Sequence, residues 1–495
     1  MKPNKIKVVI AGGGTAGWMA AMALSRQMHE LLEIVLVESE DIGTVGVGEA
    51  TIPPMRVFHK LLRIDEQEFM CATEATFKLG IQFENWGKQG DKYLHAFGRI
   101  GKETWMADFI HFWLRGRNLG VAGELGEYCL EWKAARDHKF GLDPKAELNY
   151  AYHLDASFYG RFMRKLAEFS GVRRVEGRIS AVKQNSTTGF VESLVMESGE
   201  TVSGDLFIDC TGFRGLLIEQ TLHTGYEDWS HWLISNSAVA VQTESVGPAV
   251  PYTRSIAHEN GWRWCIPLQH RVGNGNVYSN NHMSDDEATS KLLADVEGKT
   301  ITEPRVIRFK TGRRRRVWNK NVIALGLASG FLEPLESTSI HLVMTGITRL
   351  MQLFPFSGMD AAVVDEYNRQ TALEFERIRD FIILHYKVTE REGSEYWNFC
   401  RNMEIPETLQ QRIDIFKITA KTFQKENEIF RVESWTQVML GQGLIPTGYH
   451  QFADIMDEKD LRKFLKDLSS TVNSQVQQLP SHQAFIERYC SSRSR

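Results

Sequence analysis

The sequence predicts an α/β fold, with a β-rich layer built onto it and a helical lobe at its end. Three observations carry that class. A β-branched run, Lys5 to Ile10, meets a glycine turn and then an apolar stretch, Trp18 to Met28, that reads as a helix. Two later runs, Leu206 to Cys210 and Val322 to Leu325, repeat the pattern of a strand stopped by a glycine. Beyond Gly358 the apolar residues recur at helical spacing instead, with Phe375, Ile378 and Ile382 on one face.

The first turn is the most informative stretch. Gly12, Gly14 and Gly17, with Thr15 and Ala16 between the last two, fit the G-x-G-x-x-G spacing. In that pattern the first glycine makes the turn, the second admits a pyrophosphate and the third lets helix and strand pack closely. The next strand, Glu33 to Val37, ends at Glu38, about 20 residues past the last glycine, where a carboxylate accepts hydrogen bonds from a ribose. Strand, turn, helix and strand together predict a Rossmann-like dinucleotide site; a purely structural glycine turn is the alternative. The loop from Gly43 through Ala50 and Thr51 to Pro54 lacks periodicity and is expected to touch the ligand.

Helix is predicted through Met70, and Thr76 to Trp86 alternates as a strand. Phe77, Leu79, Ile81 and Phe83 take one face, which leaves Lys78 on the other, in solvent. Tyr93 to Tyr150 reads as aromatic and loop-like, with His95 and Phe97 at alternate positions. Leu154 to Phe169 reads as a helix, and Val172 to Val202 as hairpins turning at Asn185 to Gly189. Leu206 to Gly212 then gives a strand that ends in Asp209 and a glycine. A flavin-linked fold needs such a second strand to hold a ribityl chain and diphosphate, so the dinucleotide becomes FAD. The strand Val322 to Gly326 is a third on the flavin side.

Trp262, Trp264 and Ile266 share one face of a strand stopped by Pro267, and form either a core face or a functional wall of two indoles. Glu336 to Ser339 falls where a helix should begin. Unpaired N–H groups and the helix dipole there suit an anion, down to a halide, although position alone favours an ordinary cap by Ser337 or Thr338.

Composition excludes several classes. A net charge of −4 offers no basic surplus for nucleic acid. The run Arg313 to Arg316 leads into a strand and reads as its solvated approach. Six scattered cysteines, without C-x-x-C or His/Cys ligand spacing, suggest reduced thiols and no metal. The sequence shows neither a secretory leader nor a membrane span, which predicts a cytoplasmic protein without a membrane partner.

These stretches together resemble the flavin-dependent halogenases of the tryptophan-halogenase type, over nearly the whole chain. Gly12-x-Gly14-x-x-Gly17 matches the FAD fingerprint, and Trp262-x-Trp264-x-Ile266-Pro267 matches the W-x-W-x-I-P motif. Lys78 sits in the matching Lys-x-Gly-Ile-x-Phe-x-Asn-Trp context, and Phe331 to Thr338 matches the segment that bears the catalytic glutamate, here Glu336. The resemblance implies an FAD-binding domain of the aromatic-hydroxylase type over residues 1–358, with inserted substrate-side strands. Residues 359–495 are then a helical lobe capping the substrate.

It further implies that FADH2, supplied by a separate NAD(P)H-dependent flavin reductase, and O2 oxidise chloride or bromide to hypohalous acid. Lys78 presents that acid to a small aromatic substrate, and Glu336 stabilises the ring cation or removes its proton. Thr338 and Ser339 hold the halide, His95 and Phe97 line the substrate pocket, and the Trp262/Trp264 wall keeps flavin and substrate apart. A homodimer is left open. An unperturbed lysine, of pKa about 10.4, costs about 4.6 kcal/mol to neutralise at pH 7. With a carboxylate near, a protonated Lys78 that polarises hypohalous acid is expected rather than a chloramine.

Two positions depart from the family pattern. Ser339 replaces the usual glycine, and Thr422 to Phe430 lacks the paired tyrosines that grip free tryptophan. Indole or another electron-rich aromatic is therefore expected as substrate. An aromatic monooxygenase and a non-catalytic flavin-binding protein are the alternatives.

Overall fold

A computed structural model describes residues 5–41, 48–104, 107–144 and 146–491. The chain forms two compact units, each assembled from three segments: Met1–Ala75, Leu154–Asn236 and Arg308–Glu376 in the first, Thr76–His153, Ser237–Ile307 and Arg377–Arg495 in the second. The units thus interleave along the chain, without a single division near Gly358.

The first unit holds the predicted strand, turn and helix. Its main sheet runs Trp318–Asn319, Val322–Ala324, Leu206–Asp209, Ile6–Ala11, Leu32–Glu38, Arg173–Glu176. Every pair except the first is parallel, and Ile10 lies beside both Leu36 and Ile208. Such strands are buried on both faces, which is why they read as continuous apolar runs. Helix Thr15–Met28 is nearly all apolar because it packs on helices Ala156–Phe169 and Ser339–Gln352 as well as on the strand Leu32–Glu38. Ala156–Phe169 is capped by Asp155, which accepts from the Ser157 and Phe158 N–H groups, two residues after the expected start. The hairpin strands Ile179–Gln184, Val191–Met196 and Thr201–Ser203 form a small sheet whose apolar side joins the core of Val9, Val35 and Phe207.

The segment before Met70 is two helices, Pro54–Leu61 and Glu66–Ala72. Arg63 (φ 52°) and the cap by Asp65 break the expected single run. The arginine run also differs from expectation. Arg313 and Arg314 are buried, because Arg313 pairs with Glu227 and Glu376, and Arg314 with Glu219; only Arg315 and Arg316 lie exposed. Here ion pairs, which a charge count does not see, outweigh solvation.

In the second unit the strands run Ser237–Thr243, Val272–Tyr278, Gly261–Pro267, Thr253–His258, Gly80–Glu84, Lys92–Ala96. The expected single strand 76–86 is divided. Thr76–Lys78 pairs with Ala151–Asp155, whereas Gly80–Glu84 enters the large sheet. Gly80 permits the change, since a Cβ there would fall 2.4 Å from the His95 carbonyl oxygen. The expectation for Lys78 is overturned, since its side chain is fully buried.

The supposed loop 93–150 contains the end of strand Lys92–Ala96 and the helices Phe109–Asn118 and Leu130–Arg136. Their aromatic residues hid the helical period: Phe109, Phe112 and Trp113 stand at i, i+3 and i+4 and pack into one cluster with Leu461 and Leu465. The C-terminal portion is helical as expected, chiefly Glu395–Asn402, Glu407–Thr419, Val432–Gly441, Glu458–Gln477 and His482–Tyr489. Among the described residues no helix is long and apolar enough to cross a membrane.

Candidate functional site

In the first unit the sequence motifs meet at the carboxyl ends of the parallel strands. Gly12 adopts φ 107°, and a Cβ there would lie 2.4 Å from the Cys210 carbonyl oxygen. At Gly17 it would lie 1.9 Å from the Gly12 carbonyl oxygen, so the helix can approach only with glycine. Around Gly14, by contrast, nothing lies within 4 Å of such a Cβ. Gly14 is also the N-cap of helix Thr15–Met28 and provides no side-chain cap. An open side, an uncapped helix start and glycine on either side are the features that accept a diphosphate. The residues present therefore fit FAD.

Glu38 reaches this turn, its carboxylate lying where a Gly13 Cβ would be. It accepts hydrogen bonds from Arg174 (2.6 Å), Trp18 (3.2 Å) and Arg164 (3.4 Å), which fix it at the strand end. Gly326 (φ 63°) packs on Ala16, a virtual Cβ lying 2.9 Å from that methyl group, so the third strand's turn meets the first helix. Ala50 and Thr51 are buried in the same unit, while the loop residues Gly43 to Val47 lie outside the described residues.

Asp209, at the end of the second strand, is held by groups of its own unit. One carboxylate oxygen accepts from the Thr211 N–H (3.0 Å) and hydroxyl (2.6 Å), the other from the Leu217 and Ile218 N–H groups (2.8 Å each). Those bonds fill its acceptor capacity inside the protein. Asp209 thereby shapes the Cys210 to Gly215 loop.

Burial pushes the Glu49 carboxyl up from 4.5 to about 7. The folded protein then holds this proton more tightly than the unfolded chain does, so Glu49 lowers stability as pH rises from 4.5 to about 7. Glu49→Gln is expected to match the parent protein in thermal melts at pH 4 and to exceed it by about 1–3 kcal/mol at pH 8. A difference that does not depend on pH would contradict that reading of Glu49.

Glu336 closes the short turn Pro334–Glu336 and is 1% exposed. Ser337 then takes φ 58°, a left-handed conformation that costs a non-glycine residue about 1 kcal/mol or more. Thr338 is the N-cap of helix Ser339–Gln352 but makes no side-chain capping bond. Thr338 thus does not act as an ordinary side-chain cap. One turn on, His341 Nε2 lies 3.2 Å from Glu374, which also accepts from Arg349 and Thr345. Burial raises the Glu374 carboxyl, but His341 and Arg349 outweigh it and hold it below the ordinary range.

The second unit gathers Lys78, His95, Phe97, Trp262 and Trp264. The Gly80–Glu84 and Lys92–Ala96 pairing places His95 opposite Ile81, and the Phe97 N–H donates to the Leu79 carbonyl. As a result the Lys78 ammonium lies 5.3 Å from the Phe97 ring centroid. Gln437 donates to and accepts from the Ala96 backbone, which fixes the residue between His95 and Phe97. His95 meets Phe381 edge-on at 5.6 Å, and Phe381 stacks on Phe430 at 3.8 Å. Trp262 and Trp264 stand 6.2 Å apart at 61°, with the Trp264 ring lying over Gly275. A larger residue at 275 would displace that ring.

Two groups here were not legible in the sequence. One is His153 with Thr76 and Thr253, a buried hydrogen-bonded set around the Lys78 strand. The other is Arg412, paired with Glu428 (2.9 and 3.1 Å) and stacked 3.8 Å from the Trp435 ring centroid. No local pattern marks either, since the partners come from separate segments.

A family model described as tryptophan halogenase matches residues 7–458. The solved structure of Xcc4156, a flavin-dependent halogenase from Xanthomonas campestris, superposes with a TM-score of 0.97 at 52% identity, covering 98% of this chain and 99% of that one. BrvH, a flavin-dependent halogenase from Brevundimonas sp. BAL3, superposes with a TM-score of 0.94 at 42% identity, covering 99% and 100%. The tryptophan 6-halogenase ThaL of Streptomyces albogriseolus is 36% identical over 442 residues, 84% of this chain and 82% of the relative.

Proposed function

Because the chain belongs to the tryptophan halogenase family, we propose that it chlorinates or brominates an electron-rich aromatic, with indole or an indole derivative preferred to free tryptophan. The observation that carries this reading is Lys78: a lysine buried completely and set beside an aromatic ring is expensive to maintain unless its charge has a task. When bound in reduced form, FAD supplies the electrons with which O2 oxidises a halide to hypohalous acid. A separate NAD(P)H-dependent flavin reductase supplies that FADH2.

This chain's own residues then act on three tasks. Gly12, Gly14, Gly17 and Glu38 hold the cofactor's diphosphate and ribose, with Thr15, Ala16, Ala50, Thr51 and Gly326 shaping the same turn. Thr338 and Ser339 offer N–H groups to the halide. The Lys78 ammonium donates a hydrogen bond to the hypohalous oxygen and polarises the oxygen–halogen bond. As the ring carbon takes the halogen, that bond breaks and the leaving hydroxide takes a proton from the Lys78 ammonium to depart as water, while Glu336 accepts the ring proton. The Trp262/Trp264 pair screens flavin from substrate, and His95 and Phe97 bound the ring.

The preference for a substrate without the amino-acid group is supported by Thr422 to Phe430. That segment has no tyrosine pair, and its Glu428 is already bound by Arg412 and the Lys425 N–H. The test is a screen of indoles, phenols and tryptophan with FAD, a flavin reductase and either halide. Halogenated indole in excess over halogenated tryptophan is expected. Product from free tryptophan alone would contradict the substrate reading.

A further inference from the structure

The hydrogen-bond chain around Lys78 permits one inference that rests on the halogenase reading above. Thr76 Oγ1 lies 2.7 Å from the Pro267 carbonyl oxygen, which can only accept, so the threonine's single hydrogen is committed there. At 3.0 Å from His153 Nδ1 the same oxygen must therefore accept, which puts a hydrogen on Nδ1. His153 Nε2 lies 2.9 Å from Thr253 Oγ1. Burial, then the Lys78 charge, and His482 where it is protonated at low pH, push the His153 imidazole well below its ordinary range. The ring is thus neutral, its Nε2 is the acceptor, and Thr253 donates. Each polar atom of the ring is used.

The partners lie on three strands. Thr76 begins the short Thr76–Lys78 strand, Pro267 ends the strand that bears Trp262 and Trp264, and Thr253 begins the next. His153 stands opposite Thr76 in the antiparallel pair, and Ala151 opposite Lys78. Lys78 and His153 consequently share one face, with a methyl group opposite the lysine stem. The Thr76–Lys78 strand has only three residues before the chain changes sheets, too few to fix a long side chain by pairing alone. His482, on the other side, accepts from the Phe77 N–H (3.2 Å) and donates to the Ala249 carbonyl (2.7 Å); its pKa is pushed down to about 4. Both imidazoles beside this strand are neutral, and neither competes with Lys78 as an acid.

We propose that His153 is a positioning residue for the halogenation step: bridging Thr76 and Thr253, it ties the Lys78 strand to the Thr253–His258 strand, the neighbour of the tryptophan strand, and orients the Thr76 hydroxyl toward Pro267 at the end of the tryptophan strand itself. Hypohalous acid held by a misplaced lysine escapes to solvent instead of reacting with the ring. The sensitive quantity is therefore halogenated product per FADH2 oxidised, not flavin oxidation itself.

The test compares His153→Phe, His153→Gln and Thr253→Val in the reductase-coupled assay with indole and bromide. His153→Phe is expected to lower product per FADH2 about tenfold or more, with KM for indole changed less than about threefold. His153→Gln, which keeps a donor and an acceptor, should recover most of the loss, and Thr253→Val should show a smaller one. Nitrogen-15 NMR of the histidines should show one pyrrole-like and one pyridine-like nitrogen for His153 from pH 6 to 8. A parental product ratio in a folded His153→Phe protein overturns the proposal, as does a doubly protonated His153 at pH 7. Should His153→Phe fail to fold, a parental ratio in Thr253→Val overturns it. Absence of halogenated product from the parent protein instead rejects the halogenase reading itself.

Discussion

Lys78→Ala is expected to abolish halogenated indole, by at least about a thousandfold, while O2 still consumes FADH2 at the parental rate. The separation follows from where the residue stands. Lys78 belongs to the second unit, at 5.3 Å from the Phe97 ring, and the diphosphate turn with its uncapped helix belongs to the first. Removing the ammonium takes away the group proposed to polarise the oxygen–halogen bond. It leaves the glycine turn, Glu38 and the flavin chemistry untouched. Because the side chain is wholly buried, Lys78→Met is the companion variant: it keeps the stem's volume, avoids a cavity and should be equally inactive. Melting curves for both variants, alongside product and FADH2 consumption, separate loss of chemistry from loss of fold. Parental product from either folded variant would remove Lys78 from the mechanism.

Glu336→Gln is expected to reduce the halogenation rate about a hundredfold, again with flavin oxidation preserved. The amide is nearly isosteric, so it fits the turn Pro334–Glu336 without disturbing the left-handed Ser337. What it loses is the negative charge proposed to offset the ring cation and the base proposed to take its proton. If proton removal becomes slow, deuterium at the reacting carbon of indole should give a primary isotope effect in the variant that the parent lacks. Glu336→Asp keeps the charge but retracts it, and an intermediate rate is expected. Equal rates for the parent and Glu336→Gln proteins would assign the carboxylate a purely structural part in its turn.

The fold was largely legible because its signals are local. The apolar strand at Ile6–Ala11, the glycines after it and the terminal Glu38 each follow from residues within one turn or strand. The site was legible in part. Trp262 and Trp264 alternate along one strand, so their proximity follows from a period of two. Lys78 did not obey that rule. Its strand ends at Lys78 itself, and a lysine that alternation assigned to solvent is buried where Gly80 carries the chain into another sheet. The hydrogen bonds of Asp209 were not legible for a related reason, since its partners Leu217 and Ile218 come from the helical turn that follows, beyond the strand pattern. Arg313 and Arg314 found carboxylates from separate segments, and so did Arg412. Long-range pairing of charged and polar groups is what a linear pattern leaves out.

The central claim is that oxidised halide, not oxygen, reaches the aromatic ring. Mass spectrometry of the indole reaction, run under isotopically heavy O2 with and without bromide, tests it most directly. Bromoindole with the paired bromine isotope signal, free of heavy oxygen, and no product without bromide is the predicted result. Heavy-oxygen hydroxyindole formed in the absence of halide would contradict it.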